Sequence, residues 1–348
     1  MTTDEAAVSV IPEEAHKFLV DAGLAEAHEP QTWEALTGGV SSELWHVETT
    51  RHSLCVKGAL ARLNVAGEWH APLGRNQVEW DWLRFAHRTV PGAVPVPLAH
   101  DADRGLFAMS YLPPVSHALW KAELLSGRVD PAAAAAVGSL IGRLHAASAD
   151  DSELAHEFAT DDNFRQLRVD PYMTSTARRH EDLAAAIRAT AERTMSTRRV
   201  LIHGDVSPKN ILLGDSGPVL LDAECAWFGD PAFDVAFVLA HLMLKTMVVS
   251  HKVDELLASA ALLVASYMKH VTWESHRALS ARVAQLLPLL LLARIDGLSP
   301  VEYLDDHQRD GVRSAARRGV AADHDDLEQV LARTSTEFEL ANRRSTDC

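Results

Sequence analysis

LIHGDVSPKNILLGDSGPVLLDAE, residues 201–224, places Asp205, Asn210 and Asp222 between runs of Leu, Ile and Val that read as buried strands. Pro208 keeps the segment carrying Asp205 and Asn210 from becoming helix, and residues 211–213 re-enter a strand. A second strand, PVLLD, ends on Asp222, and the GDSG turn folds the two into a hairpin. The hairpin brings Asn210 and Asp222 to one end, within reach of Asp205.

Oxygen donors without His or Cys suit a hard cation such as Mg2+, which keeps water and phosphate oxygens in its other positions. A further aspartate beside such a metal can orient a hydroxyl and take its proton. Phosphoryl transfer needs this layout, because the protein's part is positioning and charge neutralisation.

The 348 residues are 47% hydrophobic, enough for two or three domain-sized cores. A formal net charge of -15, spread along the chain, argues against nucleic acid and anionic membranes as partners. Cys55, Cys225 and Cys348 are far apart and lack C-x-x-C spacing, which points to a reducing cytoplasm. No signal peptide is visible, and the apolar run LLASAALLVASYM falls short of the roughly 20 residues that span a bilayer. Oligomeric state leaves no mark in the sequence.

The first third reads as a short helix (12–24), three close strand-like runs (TWEALTGG, SELWHVET, HSLCVKGA), a helix over 74–88 stopped by VPGAVPVP, and two further strands, PLAH and GLFAMSYL. Past LPPV the pattern turns helical, at 131–149 and, after the hairpin, near 232–247, 253–270, 275–296 and 323–341. The outline is α+β in two lobes, residues 1–112 and 113–348.

HGDVSPKN resembles the H-G-D-x-x-x-x-N catalytic loop of the aminoglycoside phosphotransferase and choline kinase superfamily, small-molecule relatives of the protein kinases, and LLDAECAWFGDPAFDVA resembles the segment that follows it. The resemblance implies a protein-kinase-like bilobal fold, with an antiparallel N-terminal sheet and one main helix over a mostly helical C-terminal lobe. It implies Asp205 as catalytic base, Asn210 and Asp222 as holders of Mg2+, and ATP or GTP as co-substrate.

In LTGGVSSELWHV, Gly38 and Gly39 let backbone approach phosphates, and Ser41 and Ser42 can donate to them. Lys57, in the third strand, stands where such kinases keep the lysine for the α and β phosphates. Glu79 is its best carboxylate partner, with Glu68 and Asp81 as alternatives, and ALARLNVAGEWHAPLG between them reads as an insertion. FAMSYLPP resembles the hinge that binds adenine, implying contacts from the Ser110 carbonyl, the Leu112 amide and the Met109 side chain.

Glu224, two residues past Asp222, is placed to touch metal or substrate, and Lys209 to neutralise phosphate. Asp230 and Asp234 read as the start signal of the following helix. His203 reads as holding the loop by a backbone hydrogen bond, and His145 as pointing into the lobe core. Gly204 leaves no arginine beside Asp205 in sequence, and the short gap from Asp222 to Asp234 has no room for a long activation segment, so a small molecule is favoured over a protein as acceptor. The expectation is an antibiotic kinase of aminoglycoside type. The alternatives are a kinase of methylthioribose, another sugar or an amino alcohol, and a nucleotide-binding protein without catalysis.

Overall fold

The computed structural model describes residues 13–36, 42–59, 74–322 and 324–346. The first part contains α1 (Glu13–Asp21), β1 (Thr32–Ala35), β2 (Ser42–Glu48), β3 (Ser53–Ala59), α2 (Arg75–Thr89), β4 (Pro97–Asp101) and β5 (Leu106–Ser110). Its five strands form one sheet in the order β1-β2-β3-β5-β4, all neighbours antiparallel. Strand alternation decides what each face does. Trp45, Val47, Leu54, Val56 and Ala108 pack with Phe18 and Leu19 of α1. Cys55, Phe107 and Met109 face the other way, into the core that holds Trp82 and Phe85 of α2. Lys57 shares that second face, so the period-two pattern directs it away from α1.

The second part begins with β6 (His117–Leu119), α3 (Trp120–Leu125), α4 (Pro131–Ser148), α5 (Ser152–Glu157) and α6 (Asp161–Phe164). A π-helical segment, Arg165–Thr174, leads to α7 (Ser175–Arg179) and α8 (Ala184–Ser196). Then come β7 (Val200–Ile202), β8 (Ile211–Gly214), β9 (Gly217–Leu220) and β10 (Trp227–Gly229). The chain continues with α9 (Pro231–Val248), α10 (Val253–Met268), α11 (His276–Asp296), α12 (Asp306–Ala321) and α13 (Leu327–Thr346). The result is a bilobal, kinase-like α+β fold.

Several helices are absent from the periodic runs seen in the sequence. α5, α6 and α7 are too short to show a period, and Pro171 sits inside the π-helical segment. α12 buries only Val312, Ala315 and Ala316, so its stripe is faint, although Asp305 and Gln308 form a capping box at its start. The expectation that apolar runs are too short for a bilayer also needs correcting. α9 and α11 are long and apolar enough by composition, but 94% and 72% of them is buried inside the protein. They are largely buried core helices, apolar over most of their surface for that reason.

α4 lies against α10 through Gly138, where a Cβ would come within 2.1 Å of the Leu263 carbonyl oxygen. A side chain there would force the helices apart. We propose the division after Leu112 on the change from sheet to helix. One apolar cluster, from Trp82 to Phe338, crosses it.

Candidate active site

β7 delivers the chain to His203 and then to Gly204, whose φ is +77° and where a Cβ would meet the Cys225 carbonyl oxygen at 2.4 Å. Only glycine fits both conditions. The amides of His203 and Gly204 each donate to the Asp234 carboxylate at 2.8 Å. Asp234, in the first turn of α9, therefore also anchors this loop, while Asp230 caps the helix, accepting from the Ala232 amide at 3.0 Å. His145, buried in the lobe core, reaches Asp234 at 3.3 Å and the Tyr267 hydroxyl at 3.0 Å.

The Asp205 amide donates to His203 Nδ1 at 3.2 Å, and His203 Nε2 meets the Leu221 carbonyl at 3.1 Å. One neutral tautomer satisfies both contacts, and burial lowers the His203 pKa in the same direction. His203 thus ties the Asp205 loop to the segment before Asp222.

The Asp205 carboxylate is 3% exposed and crowded with donors. Its Oδ2 accepts from Arg168 Nη2 at 2.8 Å and Asn210 Nδ2 at 2.8 Å, and Lys209 Nζ lies 3.2 Å away. Burial pushes its pKa up, but Arg168 and Lys209 outweigh burial and hold it below the ordinary value. Sequence reasoning missed Arg168. It comes from the π-helical segment, where Nε and Nη1 also donate to the Gly204 and Leu167 carbonyls at 2.6 and 2.7 Å. No spacing rule links it to HGD, so nothing local could have found it.

Across the cleft, Lys57 Nζ donates to Glu79 at 2.6 and 2.9 Å and to Asp222 Oδ1 at 2.5 Å. Burial disfavours the lysine's charge, yet the Asp222 and Glu79 carboxylates hold its pKa above ordinary. Burial raises Glu79 to about 7 despite Lys57. Asp222 does not end the second strand, which stops at Leu220; it lies in the loop beyond, with φ +67°. Of the alternatives to Glu79, Asp81 accepts from Gln77 at 2.8 Å, and Glu68, with the expected insertion, lies outside the described residues.

The Leu221 amide donates to the Asn210 carbonyl at 2.9 Å, continuing the β8–β9 pairing and setting Asn210 next to Asp222. The oxygens of Asn210 and Asp222 fit a hard cation that completes its shell with phosphate and water. Glu224 pairs with Arg75 Nε of α2 at 3.2 Å, a contact across the two lobes that the sequence did not suggest.

Met109 lies on the cleft face of β5 beside Cys55. The Ser110 amide and hydroxyl pair with Val96 at 2.9 Å each, and Leu112 follows half-buried. Gly38, Gly39 and Ser41 lie outside the described residues; Ser42 opens β2. Cavities of about 750 and 440 Å³ lie against α13, away from these groups.

The methylthioribose kinase of Escherichia coli is 25% identical to this chain over 249 residues, 62% of this chain and 58% of that protein. The chain thus spans less than two thirds of the length of that relative. Among solved structures, the amicoumacin kinase hAmiN, determined with AMP-PNP and Ca2+, aligns at a TM-score of 0.56 and 14% identity, covering 89% of this chain and 93% of its own. A choline/ethanolamine kinase family protein from Mesorhizobium loti aligns at a TM-score of 0.52 and 18% identity, covering 93% and 98%. These likenesses carry the fold. The model described as "Phosphotransferase enzyme family" matches residues 32–279, a span that takes in Lys57, Glu79, Asp205, Asn210 and Asp222. The chain belongs to the phosphotransferase enzyme family.

Proposed function

We propose that the protein transfers the γ-phosphoryl group of ATP or GTP to a hydroxyl of a small molecule. The observation that carries this reading is the convergence of Lys57, paired to Glu79 and Asp222, on the loop that presents Asp205 and Asn210. On nucleotide binding, Lys57 exchanges Asp222 for phosphate oxygens while Glu79 keeps it in place. Asn210 and Asp222 hold Mg2+, which supplies charge neutralisation at the phosphates. Gly38, Gly39, Ser41 and Ser42 cover the phosphates, and Met109, Ser110 and Leu112 receive the base. Asp205, kept ionised by Arg168 and Lys209, aligns the acceptor hydroxyl and takes its proton. Lys209 thereby acts on Asp205, and Glu224 pairs the lobes.

The aminoglycoside-type acceptor expected from the sequence has the fold in its favour. The methylthioribose kinases among the relatives favour a metabolic small molecule instead. Two buried free thiols, Cys55 and Cys225, and the need for nucleoside triphosphate suit the cytoplasm. ATP consumption across antibiotics, sugars, hydroxy acids and amino alcohols tests the reading. Asp205→Ala should lower turnover about a thousandfold and leave Mg-ATP binding intact. Turnover retained in that variant removes Asp205 from its role, and a heat-stability shift with Mg-ATP without any turnover supports the non-catalytic alternative.

A further inference from the structure

Around the rings of Tyr303 and Tyr172, cations gather. His241 and Lys245 are buried one turn apart on α9, 6% and 1% exposed, and Arg294 of α11 is 8% exposed. Lys245 Nζ makes two long contacts of 3.4 Å, to the Tyr303 hydroxyl and the His241 carbonyl, and lies 4.9 Å from the Tyr303 ring centre. Lys121 of α3 approaches the same ring at 5.9 Å. Arg294 Nη1 meets the Tyr172 hydroxyl at 3.3 Å and the Ser299 hydroxyl at 2.9 Å, and its carbonyl, while Arg294 Nε is buried with no hydrogen-bond partner.

Tyr172 links this cluster to the loop that carries Asp205. The Arg168 guanidinium that holds Asp205 lies 5.7 Å from the Tyr172 ring centre, and the Arg294 guanidinium lies 5.8 Å from it. Glu302, the carboxylate that acts on Lys245, is already engaged by Lys121, and Asp205 by Arg168 and Lys209. Among the described residues, Lys245 and Arg294 make no ion pair with a carboxylate. In a chain of net charge -15, this is a local reversal of sign.

A buried cation without a counter-ion costs stability and persists where it has a use. A polycationic acceptor would be repelled at this distance, whereas a carboxylate or phosphate would find the guanidinium fork and ammonium that such groups pair with. We propose that Lys245 and Arg294 bind an anionic group, carboxylate or phosphate, on the acceptor whose hydroxyl Asp205 aligns. The assignment rests on the phosphotransferase reading and narrows its acceptor to hydroxy acids and phosphorylated alcohols.

Burial, then Lys121 and Arg294, brings the Lys245 pKa down to about 7, and His241 is lowered well below its ordinary value by burial and by Arg294, Lys245, Lys209 and Lys121. An anion seated here would favour the protonated lysine. Its affinity should therefore fall as pH rises above 7, and a variant without the amine should lose that slope.

The test uses the full chain saturated with Mg-AMP-PNP, so that the nucleotide's own phosphate positions are filled. Inorganic phosphate is titrated calorimetrically into wild type, Lys245→Met and Arg294→Gln. Removing a desolvated cation does not threaten folding, so K245M carries the test even if R294Q is unstable. The expected result is binding weakened roughly tenfold to hundredfold in K245M, with the pH slope removed. Equal binding in wild type and K245M overturns the site. In parallel, ATP turnover is measured with gluconate, ribose 5-phosphate, ribose, methylthioribose, choline and kanamycin. Turnover of gluconate or ribose 5-phosphate with KM raised in K245M supports the assignment and tells carboxylate from phosphate. Efficient turnover of ribose, methylthioribose, choline or kanamycin, with KM unmoved by K245M, overturns it and leaves the kinase reading standing. Phosphate binding that depends on Lys245, with no turnover of any acceptor, supports the anion site and counts against the kinase reading.

Discussion

Two buried lysines, Lys57 and Lys245, have opposite surroundings. Lys57 is 6% exposed and lies between Glu79 and Asp222; Lys245 is 1% exposed and lies among Lys121, Arg294 and tyrosine rings. Burial disfavours charge on both. Two carboxylates reverse the effect at Lys57, and nothing reverses it at Lys245, which falls to about 7. The first lysine belongs to a network of ion pairs. The second has no ion-paired carboxylate among the described residues.

Breaking the first network should cost most. Lys57→Met leaves Glu79 and Asp222 facing each other in a buried site, and should lower unfolding free energy by about 3 kcal/mol at pH 8. Chemical denaturation should show a smaller loss at pH 5, because a neutral Glu79 no longer repels Asp222. A loss that does not vary with pH would mean that Glu79 stays charged.

Arg168, the partner of Asp205, comes next. Arg168→Met should let burial raise the Asp205 pKa, moving the acid limb of kcat/KM upward by about 1 unit or more. Arg168→Lys keeps the charge and should recover part of that shift. An unmoved acid limb would show that Lys209 alone holds Asp205 ionised.

Lys245→Met should act in the reverse sense to Lys57→Met and raise the melting temperature by about 2–4 °C near pH 6. The native lysine loses its proton near 7, whereas the unfolded chain keeps it to about 10.5, so native wild type gains stability as pH rises through that window. The advantage of the variant should therefore shrink towards pH 10. Equal melting curves at pH 6 would mean that the lysine has a counter-ion.

The smallest effect is expected where a cation pairs in water. Arg128 meets Glu123 at 2.6 Å, but its side chain is 64% exposed. Arg128→Ala should leave the melting temperature within about 1 °C, because solvent already screens the pair.

Much of this molecule was readable from the chain alone. Period-two alternation marked β2, β3 and β5 and the face that carries Lys57, while the spacing from Asp205 to Asn210 and Asp222 marked a loop leading into a hairpin. These features depend on neighbours close in sequence or on regular repeats. The sequence placed Asp234 at a helix start but not its bonds to the loop, because an aspartate in a first turn looks the same whether or not it also accepts amides from a loop 30 residues earlier.

What the sequence determined by itself is the Asp205 loop, the strand lysine and the sheet-then-helix outline, because each is written in local spacing and periodicity. Only the tertiary structure brought Arg168 to Asp205, Arg75 to Glu224, and Lys245, Arg294 and Lys121 to one place. Those residues come from separate helices and share no motif. Charge acts through space, so the balance of charge around a buried group is settled only once the chain has folded.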